Sequence, residues 1–343
     1  MTSIKDIAKF AQVAQGTASI VLNGKGDQYR ISSATQKRIL DAAKALDYRP
    51  NISARRLRSG GETVAPIIAL FWTIDTRTSL IGRFLKSIQN SIFYSSEECE
   101  LLIQPYVGSD LSSMKSLITG TRYNGAIIAN PTEEDEQYLE ESNPMVPIVL
   151  YQRSSTKYSC VNVDNSYTGM EVARLFANRG HQDVGIIIPD VSSAAIRLRK
   201  EGFLAEAKEL GLKVADEHII YSEFSEKGGY NAAMQLLESS KKPSALFILS
   251  DQISVGVINA LNEKSINVPE EIEIVGHDDD DFSQFTTPPL TTMHLPVEEM
   301  ATASVEIMLD LINHHKDSPI VQNFETKLLV RKSCGGFISR EDL

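Results

Sequence analysis

Between Tyr48 and Arg58 the chain reads Tyr48-Arg49-Pro50-Asn51-Ile52-Ser53-Ala54-Arg55-Arg56-Leu57-Arg58. A leucine flanked by Arg55, Arg56 and Arg58 has little chance of joining a large core. The composition suits a short helix that orders against a phosphate backbone and pushes an apolar wedge between base steps. The plainer alternative is an ordinary linker leucine. Upstream, Gln15-Gly16-Thr17-Ala18-Ser19-Ile20-Val21-Leu22-Asn23 supplies an amide and two hydroxyls. Gln15 can offer adenine N6/N7 a bidentate amide, while Thr17 and Ser19 can donate to phosphates, pack, or face solvent. A second set lies further along. Asp278 to Asp281 form a solvated acidic loop, a hard-cation site or a ligand-facing strand end; consecutive residues rarely converge on one ion. Asp251 is open between helix cap and ligand contact. Asp164 is open between a position joining two lobes and one beside a ligand. Trp72, the only tryptophan, ends an apolar run where its ring packs on a sugar's C–H face or joins the core.

These groups need elements to hold them. Residues 4–11 have helical apolar spacing, 12–14 break it, and a second helix over 15–23 ends at Gly24. Two short helices across a three-residue turn predict a helix-turn-helix, with the second helix in the major groove. Ser32 is expected to cap a third helix. Past Gly60-Gly61 the pattern becomes α/β. Apolar runs at 64–71, 125–129, 146–150, 184–188, 245–249 and 272–275 alternate with amphipathic stretches at 81–95, 167–178, 196–210, 228–237, 254–264 and 297–312. Such alternation predicts parallel sheets wound by helices on both faces, in two similar halves. Ligands of such halves sit at the carboxyl ends of strands.

Length and charge fit that division. At 343 residues the chain exceeds one ordinary core. The net charge is −11, yet residues 1–60 carry 11 Lys and Arg against four acids, a net +7. That leaves 23 against 41, or −18, for the rest. A basic head on an acidic body is the footprint of local phosphate binding. Three scattered cysteines, Cys99, Cys160 and Cys334, argue against a disulfide framework. No signal-peptide core and no apolar run of roughly 18 residues occur, so a soluble, cytoplasmic protein is expected.

Thr17-x-Ser19 with Val21-Leu22-Asn23, then Ser32-x-x-Thr35, then Tyr48-x-Pro50-Asn51-x-x-Ala54-x-x-Leu57, resembles the lactose-repressor/galactose-repressor family. The resemblance implies a helix-turn-helix head over 1–47 and a hinge helix and linker over 48–61. It implies a periplasmic-binding-protein-like body over 62–343, with lobes at about 62–162 with 292–322, and 163–291 with 323–343. It implies base reading from Gln15 and Gly16, and DNA contact from Thr17, Ser19, Ile20, Asn23, Asn51, Ala54, Arg55 and the wedge Leu57. Gly16 offers only backbone, Ile20 stands where arginine is common, and Ala14 replaces a capping serine. These departures imply an unusual operator or, at Ile20, an apolar contact to a thymine methyl. In the body, the family's Gly-x-Asp falls on Asp278 and its Arg-x-x-Gly-Phe on Arg199. Ser250 stands where relatives often place an asparagine, and Phe224 where they stack an aromatic on the effector. With Trp72, Asp164 and Asp251 these form the expected effector set. The short tail lacks leucine heptads, so a homodimer on a pseudo-palindromic operator is expected.

An enzyme is the rival class, but G-x-S-x-G, G-x-x-x-x-G-K-[ST], H-E-x-x-H and a strand-borne G-x-G-x-x-G are missing from the sequence. No cofactor and no metal are expected. The reading is a transcriptional regulator, a repressor, controlled by a small effector between the lobes, a sugar or sugar derivative. The alternatives are a purine effector or a catabolite-control regulator whose effector is a phosphocarrier protein.

Overall fold

The structure, a computed structural model, describes residues 3–46, 48, 65–73, 78–94, 99–313 and 319–336. The head is three helices, α1 (Ile4–Phe10), α2 (Gln15–Leu22) and α3 (Ser33–Ala45). Ser3 and Asp6 form a reciprocal capping box on α1, and Ser32 caps α3 through Thr35 N. Both satisfy donors that a helix start leaves bare. Gly24, at φ +70, ends α2 in a conformation that suits glycine. Ile7, Ala11, Ala18, Leu22, Ile39 and Ala43 form the buried core of the three helices, and Tyr48 packs against it. Of the expected hinge segment, Asn51, Ala54, Arg55 and Leu57 lie outside the described residues.

The chain divides into two compact units, Met1–Ile74 with Lys86–Val161 and Ala301–Gln322, and Asp75–Leu85 with Asn162–Met300 and Asn323–Leu343. In chain order the body elements are β1 (Ile67–Thr73), α4 (Thr78–Tyr94), β2 (Glu100–Tyr106), α5 (Lys115–Thr119), β3 (Gly125–Ala129), α6 (Glu133–Glu141), β4 (Ile148–Tyr151) and β5 (Ser159–Val163). Then follow α7 (Asn165–Asn178), β6 (Val184–Pro189), α8 (Ala194–Glu209), β7 (Ile219–Ser222), α9 (Glu226–Leu237), β8 (Ala245–Ile248), α10 (Asp251–Glu263) and β9 (Glu273–Asp278). The last are β10 (Thr291–His294), α11 (Val297–Ile312), β11 (Val321–Phe324) and β12 (Lys327–Leu329). One sheet runs β11-β5-β4-β3-β1-β2 and the other β12-β10-β9-β8-β6-β7. The β9–β10 pair is parallel and β10–β12 antiparallel. Because β10 is built into the second sheet, the second unit runs to Met300 rather than ending near residue 291 as the resemblance implies.

The continuous apolar strands follow from burial on both faces. In the second sheet Ile186, Ile188, Phe247 and Val275 face α7 and α8, packing with Phe176 and Phe203. Their neighbours Ile187, Leu246, Ile248 and Ile274 face α9 and α10, packing with Leu236 and Leu261. Strand alternation then puts His277 on the same side as Val275, toward α7 and α8. Among the described residues no helix is long and apolar enough to cross a membrane.

Candidate nucleic-acid interface and ligand site

At the start of α2, Gln15 and Gly16 are exposed, and Thr17, Ser19, Ile20 and Asn23 are half-buried. A Cβ added at Gly16 would meet nothing within 4 Å, so this glycine is not required by packing inside the head. Ala14, the N-cap of α2, makes no side-chain cap hydrogen bond, leaving helix-start N–H groups directed outward. Asn23 folds back instead, its Nδ2 donating to Ser19 O at 2.6 Å and to Ser19 Oγ at 3.3 Å. Asn23 thus has a capping task at the end of α2, and Gln15 is the exposed amide of this helix.

In the second unit the motif Arg199-x-x-Gly202-Phe203 has a physical explanation for each letter. A Cβ at Gly202 would sit 2.2 Å from Ser166 O, and one at Gly169 would sit 2.1 Å from Arg199 O. Glycine at both positions therefore lets α8 press on α7. Phe203 fills the core beneath, 6.2 Å from the Phe176 ring and edge-on to it. The close approach brings Arg199 Nε to Asn165 Oδ1 at 2.9 Å, while Nη1 lies 3.3 Å from His277 Nδ1. That same Nδ1 lies 2.8 Å from Asp278 Oδ1.

Arg199 and Asp278, 79 positions apart in the chain, thus meet through one imidazole at the carboxyl end of β9. Arg199, His277 and Asp278 are all buried. Burial, then the Arg199 charge, pushes the His277 pKa down to about 4 against the pull of Asp278. A neutral Nδ1 either accepts from Arg199 or donates to Asp278, not both. The trio therefore holds one contact unsatisfied whichever tautomer is present. His277 Nε2 is also buried without a hydrogen-bond partner. Such atoms are costly unless another group meets them.

The lowered His277 pKa sets a pH dependence. The unfolded histidine protonates near 6.5 and the folded one near 4. Stability is present in full above about 6.5 and is lost as pH falls toward about 4. Denaturant titrations should show that the parent loses about 3 kcal/mol more over that window than His277→Phe does. An equal loss in parent and variant would remove His277 as the source of that difference.

Asp281 is exposed, but Asp278, Asp279 and Asp280 are not solvated. Asp279 accepts from His294 Nδ1 at 2.9 Å and from Arg331 Nη2 at 2.7 Å. Burial alone would raise its pKa, and these two partners hold it below the usual carboxylate range. Asp280 N donates to Asp251 Oδ2 at 3.0 Å, and Thr292 Oγ1 donates to Asp251 Oδ1 at 2.7 Å. Asp251 is wholly buried, and burial followed by the charge of Asp278 pushes its carboxyl well above the ordinary range. Gly276 makes room for it, since a Cβ there would sit 2.2 Å from Asp251 Oδ1.

The expected site residues separate accordingly. Asp251 braces the 278–280 loop, and the helix cap is Ser250, whose Oγ accepts from Gln252 N at 3.3 Å. Both spend their polar atoms on the scaffold. Asp164 caps α7 through Tyr167 N at 2.9 Å and borders an open groove of about 300 Å³ with Tyr167, Phe324, Glu325 and Thr326. Phe224 is buried in the core on the α7/α8 side. Sequence reasoning missed His277 and Asn165, whose meeting with Arg199 depends on strand parity and helix contact.

The first unit has its own strand-end set. Trp72 pairs in register with Ala129, and Ala129 with Tyr151. The Trp72 and Tyr151 rings lie 6.5 Å apart and tilted. One residue beyond these strands come Asn130 (φ +54) and Gln152 (φ +58), both buried. Asn130 Nδ2 has no hydrogen-bond partner. Neither residue carried a sequence signal.

Comparison with known proteins agrees with both halves. Residues 3–51 match the description of bacterial regulatory proteins of the lacI family, and residues 173–334 match a periplasmic binding protein-like domain. The chain is 31% identical over 340 residues to the "Probable HTH-type transcriptional repressor ExuR" of Bacillus subtilis (strain 168), covering 97% of this chain and 98% of that protein. It is 28% identical over 334 residues to the ribose operon repressor of Escherichia coli (strain K12), covering 96% and 97%. A crystal structure of a LacI family transcription regulator from Clostridium acetobutylicum superposes with a TM-score of 0.75 at 35% identity, covering 78% of this chain and 100% of that one. The chain belongs to the lacI family of bacterial regulatory proteins and is a DNA-binding transcriptional repressor with a helix-turn-helix head and a periplasmic-binding-protein-like body.

Proposed function

We propose that operator affinity is set by a small polyhydroxylated effector, a sugar or sugar derivative, held by Arg199 and Asp278. The observation that carries this reading is the buried Arg199–His277–Asp278 trio, whose central nitrogen cannot satisfy both neighbours. A planar guanidinium and a carboxylate together match vicinal hydroxyls, each of which donates and accepts. A hydroxyl placed here would accept from the Arg199 guanidinium and donate to the Asp278 carboxylate. The relative named for a ribose operon supports a sugar as the class. A thermal-shift screen of the full chain against monosaccharides, sugar acids and nucleobases tests it, since a ligand at 100 times its Kd stabilises by about 2.7 kcal/mol. Stabilisation by nucleobases alone would replace the sugar with a purine. No small-molecule response, with copurification of a phosphocarrier, would favour a protein effector.

The head is proposed to act in a homodimer on a pseudo-palindromic operator, with Gln15 supplying most of the major-groove readout. Gly16 and Ile20 have no side-chain donor for a base. Gln15→Ala is expected to relax preference at one position per half-site by about 1–3 kcal/mol. Selection from randomised duplexes measures this, and an identical consensus for variant and parent removes Gln15 from that role.

A further inference from the structure

We propose that Arg83 is the positioning residue of the effector site, holding the backbone of Asp278 and Asp279 so that the Asp278 carboxylate meets His277. Arg83 lies on α4, 195 positions from Asp278, and is buried. Its Nη1 donates to Asp278 O at 2.8 Å and to Asp279 O at 3.3 Å. Its Nη2 donates to Leu295 O at 3.1 Å and to Glu298 Oε2 at 2.9 Å, and Nε donates to Glu298 Oε1 at 3.0 Å. These contacts account for all five N–H donors of a guanidinium. The side chain of Asp280 adds a longer-range charge, its Oδ1 4.0 Å from Nη1.

What Arg83 holds needs holding. Asp278 has φ +115 and Asp279 φ +53, conformations that cost a non-glycine residue about 1–3 kcal/mol each unless the surroundings enforce them. The two carbonyls Arg83 grips belong to these residues. Glu298 in turn fixes the guanidinium in a fork-to-fork pair, the geometry lysine cannot supply. Burial alone would lower the Arg83 pKa; Glu298 more than offsets it, so the group stays charged. The clamp ties the loop bearing Asp278 to α4, the helix that follows the first strand after the hinge segment.

The inference rests on the reading of Asp278 as an effector group, and its test needs no effector. The full chain, labelled with nitrogen-15 histidine, is compared by NMR as parent, Arg83→Gln, Arg83→Lys, Glu298→Gln and Asp278→Ala. His277→Phe assigns the His277 ring signals, and His181 and His218 report that the fold is intact. The expected result is that Arg83→Gln and Arg83→Lys both move the His277 ring nitrogens toward their positions in Asp278→Ala. Glu298→Gln, which frees only one side of the fork, should move them the same way by less. Movement in Arg83→Gln but not in Arg83→Lys would mean that charge alone acts, and overturns positioning. Parent-like His277 signals in all three overturn it as well. If Arg83→Gln loses the His181 and His218 signals, Arg83→Lys and Glu298→Gln decide by the same criterion. The effector reading fails separately, if Asp278→Ala leaves ligand-induced thermal stabilisation unchanged.

Discussion

Leu57→Ala is expected to weaken operator binding by about 3 kcal/mol, roughly a hundredfold, with the dimer intact. The expectation comes from the sequence, because Leu57 stands alone among Arg55, Arg56 and Arg58. Opening a base step costs a few kcal/mol, and only an inserted apolar side chain makes the kinked duplex favourable. Alanine is too short to fill that gap, so the unstacking cost falls on the complex. The flanking arginines would act differently, through phosphates, so Arg55→Ala should flatten the salt dependence by about one unit of slope. Fluorescence anisotropy on a selected duplex at several salt concentrations, with sedimentation of the free protein, separates the two effects. An unchanged affinity in Leu57→Ala would leave Leu57 an ordinary linker residue.

Arg199→Ala is expected to cost about 2–4 kcal/mol of effector affinity, roughly 30- to 1,000-fold, while operator affinity without effector stays within a factor of two or so. Removing the guanidinium takes donors from Asn165 Oδ1 and from the His277 edge as well as from the ligand. Loss of the donor to Asn165 and His277 is felt in free and bound protein alike and falls on stability. The affinity loss is that of the ligand group left without its guanidinium partner. Arg199→Lys should recover little, because a point charge cannot reach Asn165 and the ligand together. Calorimetric titration of the effector found by the thermal-shift screen measures the loss. An Arg199→Ala protein that binds it at the parent's affinity takes this residue out of the site.

The head was legible because its signals are local. A broken helical period, a capping serine at position 32 and Gly24 at the end of α2 each act within a few residues. The buried strands β3, β6 and β8 were legible for a different reason, since burial on both faces leaves an unbroken apolar run. By contrast β2 was not predicted. It is an edge strand with irregular exposure and contains Pro105, so neither a long apolar run nor a clean alternation marks it. The short strands β7, β10, β11 and β12 have three or four residues each, too few for a period.

The candidate site was half legible for related reasons. Gly-x-Asp and Arg-x-x-Gly-Phe pointed to Asp278 and Arg199, and the structure joins them through His277. The letter between Gly276 and Asp278 carried no signal, because its importance comes from its side of β9 and from which helices cover that side. Ser250 and Asp251 were read one step apart from their tasks: the serine caps α10 and the aspartate braces the neighbouring loop. Asn130 and Gln152 were missed because a polar residue just past a strand looks like any loop residue. Arg83 was missed because an arginine on an amphipathic helix ordinarily faces water, and here it is buried against backbone carbonyls.

The most direct measurement is the operator affinity of the full chain with and without the stabilising monosaccharide, made on the parent and on Asp278→Asn. Control by an effector at this carboxylate requires differential binding to the two DNA-binding states. The parent's operator affinity should then change by at least about fivefold, the usual lower bound of allosteric coupling. Asp278→Asn should bind the same operator equally well and no longer respond at that concentration. An equal response in both proteins, or an operator affinity indifferent to a sugar that demonstrably binds the parent, would contradict effector control through Asp278.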